Sequence, residues 1–358
     1  MPPILTESEN TNGPAREEEA PILSVRNLKT YYYTREGTIK AVDGATFDLH
    51  RGKTLGVVGE SGCGKSVTAR SILRIVDQPG RIVDGEILWR HAVHGGAEQT
   101  IDLVKLDPEG KQIRGIRGAE IALIFQEPMT SFSPVHTIGD QVGEAIRIHQ
   151  KTPWRETRDR VIELLRRVGV PDPEHRVDVF PSQLSGGLRQ RAMIAMALAC
   201  EPQLLIADEP TTALDVTTQA QILDLLRSLQ EQNHMAIMLI THNLGVVAEV
   251  ADEVVVMYLG RVVEQGPVDA IFYEPKHPYT QALLRSIPSL DAPPRVMLPA
   301  LAGSIPHPSQ RPKGCPFHPR CPSRMAGVCE QDEPELRTVG KKHQVSCFLY
   351  PQPEGAEQ

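Results

Sequence analysis

A chain of 358 residues, 40% hydrophobic and 23% charged, has the composition of a soluble globular protein with room for one large domain or two smaller ones. Its formal net charge of -7 gives no basic surface, so no nucleic acid partner is expected. The longest apolar stretch, Met235 to Ala248, is interrupted by Thr241-His242-Asn243 and falls short of the roughly 18 residues that span a bilayer, so any membrane role is expected to come through a partner.

The first 22 residues carry acidic side chains and no basic-then-apolar pattern; they read as a solvated cytoplasmic tail rather than a signal or transit peptide. From about residue 23 the pattern alternates between strands and helices. TLGVVG (Thr54 to Gly59) is a short apolar run, and VTARSILRIV from Val67 has helical spacing. Between them GESGCGKS fits the phosphate-binding loop G-x-x-x-x-G-K-[ST], over Gly59, Glu60, Ser61, Gly62, Cys63, Gly64, Lys65 and Ser66, with Val67 opening the helix. In such a loop backbone N–H groups wrap phosphates, the lysine reaches the β and γ oxygens, and the serine hydroxyl binds Mg²⁺.

Three more runs, IALIF (Ile121 to Phe125), QLLIAD (Gln203 to Asp208) and AIMLITH (Ala236 to His242), have the length of buried parallel strands. Each ends beside a polar residue, at the edge where a parallel sheet presents its ligand site. Asp208 at one tip can hold the Mg²⁺ shell, and Glu209 beside it can orient and deprotonate water. From about 128 to 181 amphipathic helices are predicted as an insertion, including QVGEAIRIH and TRDRVIELLRRVGV. Beyond Ile287 prolines accumulate and periodicity is lost, which predicts a separate, irregular appendix.

LSGGLRQR (Leu184 to Arg191), placed before an apolar strand ending Asp-Glu, resembles the signature of the ATP-binding cassette superfamily. Ser185 adds a hydroxyl, Gly186 and Gly187 let backbone amides approach an anion, and the helix that follows favours negative charge at its start. The resemblance implies an α/β fold: a P-loop NTPase core with a mostly parallel sheet and flanking helices, an inserted helical subdomain and an irregular Cys-containing C-terminal extension. It further implies that Gln126 senses the γ-phosphate and Mg²⁺, that His242 contacts the γ-phosphate, and that Asp215 in TTALD crosses a dimer interface. Ser185, Gly186, Gly187 and Gln190 would face ATP held by a partner cassette. One of Tyr31, Tyr32 and Tyr33, in the first place Tyr33, is expected to stack on adenine.

HPYTQALLRSIP (His277 to Pro288) and the Pro-rich tail resemble the ATPase subunits of dipeptide and oligopeptide importers, as do FQEPMTSFSPVHTIGDQVGEAI and YYYTREGTIKAVDGATFDL. The resemblance implies an ATPase domain over 23–275, a C-terminal extension over 276–350 and a short tail over 351–358. Two permease subunits, a second cassette that is identical or different, and an extracytoplasmic solute-binding protein are the implied partners, at the cytoplasmic face of the bacterial inner membrane. Relatives of this kind also import nickel, opines and oligosaccharides, so the solute stays open. Asn243 stands where these ATPases usually carry Asp, Leu188 where Met is usual, and Ser131-Phe132-Ser133 where Ser-Leu-Asn is common. Locally, Thr280 is expected to cap the helix of HPYT, with His277-Pro278 as a turn.

Cys315, Cys321, Cys329 and Cys347 are spaced C-x5-C-x7-C-x17-C, and clustered thiols in a cytoplasmic chain favour metal over disulfides. Zinc knuckles of the C-x2-C type are missing. The resemblance implies a [4Fe-4S] cluster, with zinc or free thiols as the alternatives.

Overall fold

The computed structural model describes residues 20–92, 98–126, 131–212, 214–287, 301 and 303–350. Twelve strands are described: β1 (Leu23–Thr34), β2 (Gly37–Leu49), β3 (Thr54–Val58), β4 (Gly80–Ala92), β5 (Glu98–Asp102), β6 (Ile121–Ile124), β7 (Leu204–Asp208), β8 (Ala236–Ile240), β9 (Glu253–Tyr258), β10 (Arg261–Pro267), β11 (Arg337–Gly340) and β12 (His343–Val345). An antiparallel sheet has the order β2-β1-β4-β5, and an eight-stranded sheet has the order β11-β12-β10-β9-β3-β8-β7-β6.

The five strands from β6 to β9 in that second sheet are mutually parallel. They are continuous apolar runs because both faces are covered. Leu204 and Ile206 of β7 share an apolar cluster with Leu23, Phe47 and Trp89 of the antiparallel sheet. Leu205 and Ala207, one residue out of phase, pack with the helices. Gly56 in β3 has no side chain because a Cβ there would lie 2.7 Å from Val247 Cγ1 on the covering helix.

The helices on the second face follow their apolar stripes. Here the helical insertion contains α2 (Ile138–Gln150), α3 (Trp154–Arg167) and the short α4 (Pro173–Arg176), whereas α1 (Lys65–Ile72), after the phosphate loop, buries Ala69 and Ile72 in the cluster of the antiparallel sheet. Thr137 caps α2 by accepting the Asp140 N–H at 3.1 Å, and Gly169 in a left-handed conformation (φ 74) follows the end of α3. Ala192, Met193 and Ile194 of α5 (Gly186–Ala197) share one apolar cluster with Val142, Val161 and Leu165 of the insertion. The expected start near 128 lies outside the described residues. Helix α6 (Val216–Asn233) leads into β8. No described helix is long and apolar enough to cross a membrane.

Both ends differ from expectation. Ile22, placed in the tail, is buried, its N–H bonded to Leu49 O and its carbonyl to the Arg90 N–H, each at 2.9 Å; residues 1–19 and 351–358 lie outside the described residues. The C-terminal segment is not separate: β12 pairs with β10 and β11 with β12, so it extends the eight-stranded sheet. At four and three residues, with polar side chains interleaved, these strands are too short to carry a readable period.

Candidate nucleotide site and its C-terminal brace

The phosphate loop joins the buried tip of β3 to α1, and glycine is required at two of its points. At Gly59 (φ +148) a Cβ would stand 2.2 Å from Met257 O, and at Gly64 (φ +106) 2.3 Å from Ala41 O. Both conformations are ones that only glycine adopts without strain. The Cys63 N–H donates to Glu60 O at 3.2 Å, and Cys63 O accepts from the Gly260 N–H at 2.9 Å, which ties the loop to the β9–β10 turn. Lys65 is buried, with Nζ donating to Gly59 O at 2.8 Å and Glu60 O at 3.2 Å. Ser61 and Gly62 are exposed; Cys63 is buried, which raises its thiol pKa against the opposing pull of Lys65.

Asp208 ends β7 and is 7% exposed. Burial raises its pKa, the Ser66 hydroxyl hydrogen-bonded to it opposes that rise, and the Glu209 carboxylate adds to it. Its Oδ1 is buried without a hydrogen-bond partner among the described residues. An orphaned carboxylate oxygen beside a serine hydroxyl suits a hard cation that takes its remaining oxygens from a phosphate.

The next residue joins two other predicted groups, Gln126 and His242. Glu209 has a left-handed backbone (φ 50), fixed by its N–H donating to Ile240 O at 2.8 Å. Its Oε2 accepts from Gln126 Nε2 at 3.1 Å and Thr212 Oγ1 at 2.9 Å, and its Oε1 lies 3.2 Å from His242 Nδ1. Burial raises the Glu209 pKa, but the bonds from Thr212, His242 and Gln126 outweigh it and hold the group below the usual value. Thr212 was absent from the sequence expectations; its place three residues after Glu209 is its sole signal.

Ser185 caps α5, accepting the Leu188 N–H at 3.4 Å, and both Ser185 and Gly186 are exposed. Gln190 is buried, with Nε2 lacking a partner among the described residues, so it faces the interior rather than an open surface. Asp215 caps α6 through the Thr218 N–H at 2.9 Å, and a Cβ on Gly187 would touch Thr218 Cγ2 at 3.1 Å. The signature and the TTALD turn therefore adjoin. Among the tyrosines, Tyr31 donates to Asp43 Oδ1 at 2.5 Å, while Tyr33 is 40% exposed with the Arg81 guanidinium 4.4 Å from its ring centre.

The C-terminal segment reaches this site. Tyr279, on α9 (Pro278–Arg285) beyond α7 (Leu244–Val250) and α8 (Val268–Tyr273), is fully buried and its hydroxyl accepts the Glu60 N–H at 2.9 Å. Arg320 donates to both Glu60 oxygens, at 2.8 and 3.1 Å, and Arg311 donates to Asp43 Oδ2 at 2.5 Å. His277, not Thr280, caps α9: its Nδ1 accepts the Tyr279 N–H at 3.0 Å, with Pro278 at the first helical position. Thr280 lies inside the helix, buried. Sequence reasoning placed none of Tyr279, Arg311 and Arg320 near ATP, because the contacts to Glu60 and Asp43 span more than 200 residues and no local pattern encodes them.

All four clustered cysteines are free thiols and line one cavity of about 10 Å³ with His277 and Phe317. Burial pushes the thiols of Cys315 and Cys347 up to about 11, with neighbouring thiols adding to the rise. Among the described residues no group of three or more His, Cys, Asp and Glu side chains is arranged to hold a metal ion, so the expected cluster gains no support from that quarter.

The ABC transporter family matches residues 42–212, and the oligopeptide/dipeptide transporter C-terminal region matches 263–329. The dipeptide transport ATP-binding protein DppD of Bacillus subtilis is 48% identical over 92% of this chain and 95% of its own length. The oligopeptide transport ATP-binding protein AppD of the same organism is 48% identical over 94% and 99%. Among solved structures, a dimeric ATP-binding cassette in a post-hydrolysis state, bound to ADP and Pi, superposes with a TM-score of 0.59 at 25% identity, over 69% of this chain and 98% of that one. With the phosphate loop, the Asp208-Glu209 strand tip and the Ser185 helix cap in one α/β frame, the chain belongs to the ABC transporter family of ATP-binding proteins.

Proposed function

We propose that this chain is the ATP-hydrolysing subunit that powers import of dipeptides or oligopeptides through a membrane permease. The observation that carries the reading is the convergence of Gln126 and His242 on the Glu209 carboxylate through hydrogen bonds at the strand tips. The kinship with peptide-transport ATP-binding proteins over nearly the whole chain supports the cargo class.

In this reading the loop from Gly59 to Val67 cradles the phosphates, and Lys65 swings from its two carbonyls to the β and γ oxygens. Ser66, Asp208 and Gln126 would hold Mg²⁺, which would supply positive charge against the phosphates. Glu209 orients the attacking water and takes its proton, and His242 holds the carboxylate and meets the γ-phosphate. Tyr33 stacks on adenine. Ser185, Gly186, Gly187 and Gln190 complete the site of a second cassette across an interface that includes Asp215, in keeping with the exposed start of α5. The buried Gln190 would act by supporting that helix rather than by touching nucleotide.

The ATPase domain spans 23–275, with the buried Ile22 joined to its first strand, and the extension spans 276–350. The partners are two permease subunits, a second cassette, and through them an extracytoplasmic solute-binding protein; the chain sits peripherally on the cytoplasmic face of the bacterial inner membrane. Cys315, Cys321, Cys329 and Cys347 would be the ligands of a [4Fe-4S] cluster; they are four free thiols around one apolar cavity, but as they stand they are not arranged to hold a metal ion. The cavity of about 10 Å³ admits at most one water, so loading would part the cysteine loops. The role there is structural or redox-sensing, since ATP hydrolysis needs no electrons.

Tagged chain extracted in mild detergent from its native membrane tests the reading. It should bring down permease chains and a second cassette, with hydrolysis raised by peptide-loaded receptor. Recovery from the soluble fraction alone, with hydrolysis raised by nucleic acid, would overturn it.

A further inference from the structure

Glu60 is the second residue of the phosphate loop, and the C-terminal segment holds it twice. Its N–H is bonded to the buried Tyr279 hydroxyl at 2.9 Å, and its two carboxylate oxygens take a two-pronged pair from Arg320 at 2.8 and 3.1 Å. The pair is well enclosed, with the Arg320 side chain 4% exposed and that of Glu60 22%. Removing these groups from water costs much of what their attraction returns, so the gain of such a pair lies in fixed geometry rather than in stability.

What Glu60 fixes is the mouth of the loop. Its carbonyl accepts both the Cys63 N–H and Lys65 Nζ, each at 3.2 Å, and its neighbour Gly59 has no room for a side chain. The two residues that grip it are themselves rigid. The Tyr279 ring packs 4.7 Å from Tyr258 and 5.4 Å from Phe317 between ring centres, and Cys315 and Cys329 belong to the same apolar cluster. Arg320 immediately precedes Cys321, which lines the thiol cavity. Hence the wall of that cavity and the phosphate loop share one packed unit.

We propose that Tyr279 and Arg320 are positioning residues for ATP hydrolysis: acting through Glu60, they keep the phosphate loop in its nucleotide-binding shape, so that the C-terminal segment sets the affinity of the site for MgATP. The inference rests on the assignment of Lys65 and Ser66 as the MgATP-binding groups. A loop that is competent only a tenth of the time binds about tenfold more weakly, while a bound site turns over as before. The signature is therefore a rise in KM at nearly constant kcat.

The test uses the full chain and compares Y279F, R320K and R320Q, each alone and in an E60Q background, with K65A as reference. MgATP binding, steady-state hydrolysis and thermal midpoint are measured. Y279F should raise Kd and KM about three- to tenfold and R320Q about tenfold or more, with kcat within about twofold. R320K should fall between, because an ammonium cannot make the two-pronged pair. In the E60Q background R320Q should add little. Unchanged KM in Y279F and R320Q, or an R320Q effect of equal size with and without E60Q, would overturn the inference while a K65A variant unable to bind MgATP keeps the site assignment intact. Full MgATP binding by K65A would overturn the site assignment itself, and this inference with it.

Discussion

His242 Nδ1 stands 3.2 Å from Glu209 Oε1, and that contact orients one side of a carboxylate whose other oxygen is held by Gln126 and Thr212. With every approach to Glu209 fixed, loss of its charge should strike chemistry and spare binding. E209Q keeps the shape and removes the base, so phosphate release should fall by about two to four orders of magnitude. MgATP affinity, measured on the same preparation, should stay within about threefold.

The pH dependence follows from the depressed Glu209 pKa. A carboxylate whose folded pKa lies below its unfolded value contributes stability above the unfolded pKa, near 4.5, and loses it as pH falls through the folded one. The basic form persists over the same range, so an acid limb of kcat/KM governed by this group lies below 4.5. T212V deletes one hydrogen bond to the carboxylate and should move that limb to higher pH in a pH–rate profile. A limb that stays in place would remove Glu209 from the role of base.

Asp208 has the opposite sign. Burial raises its folded pKa above the unfolded one, so its ionised form costs stability once pH passes the unfolded value, and the full cost is present above the folded value. D208N should therefore raise the thermal midpoint of nucleotide-free protein at neutral pH. The same variant should lose the extra stabilisation that Mg²⁺ adds to ATP, which a thermal-shift series with and without Mg²⁺ would read directly.

The phosphate loop makes a steric prediction. G64A would set a Cβ 2.3 Å from Ala41 O in a backbone conformation of φ +106. ATP binding should be lost, with a destabilisation of about 1–3 kcal/mol from backbone strain in urea unfolding. G62A, whose Cβ meets nothing within 4 Å but whose φ is +78, should show the milder, purely conformational part of that effect.

Anaerobically prepared chain should contain iron and acid-labile sulfide, both lost together in C315S and C347S. Preparation with neither would end the iron–sulfur assignment and leave four free thiols around an apolar gap.

The legibility of the sequence tracked the range of the interactions. GESGCGKS, QLLIADE and LSGGLRQR were readable because each motif's chemistry sits within a dozen residues and at a strand tip or helix start. Four of the five parallel strands were readable because two-sided burial leaves a run such as LLIAD without polar interruption, whereas β9 was not singled out. The contacts of Tyr279 and Arg320 with Glu60, and the pairing of β12 with β10, join segments far apart in the chain and leave no periodic trace. The cap of α9 fell between these cases. Thr280 is the better capping residue by type, yet tertiary packing buries it and gives the role to His277 Nδ1.

The most direct test of the account is peptide uptake into proteoliposomes that hold the chain with its permease, its partner cassette and peptide-loaded receptor. The account predicts uptake of labelled peptide that requires MgATP, rises with hydrolysis and is abolished by E209Q. Uptake that proceeds equally with E209Q, or hydrolysis that ignores peptide and receptor, would contradict it.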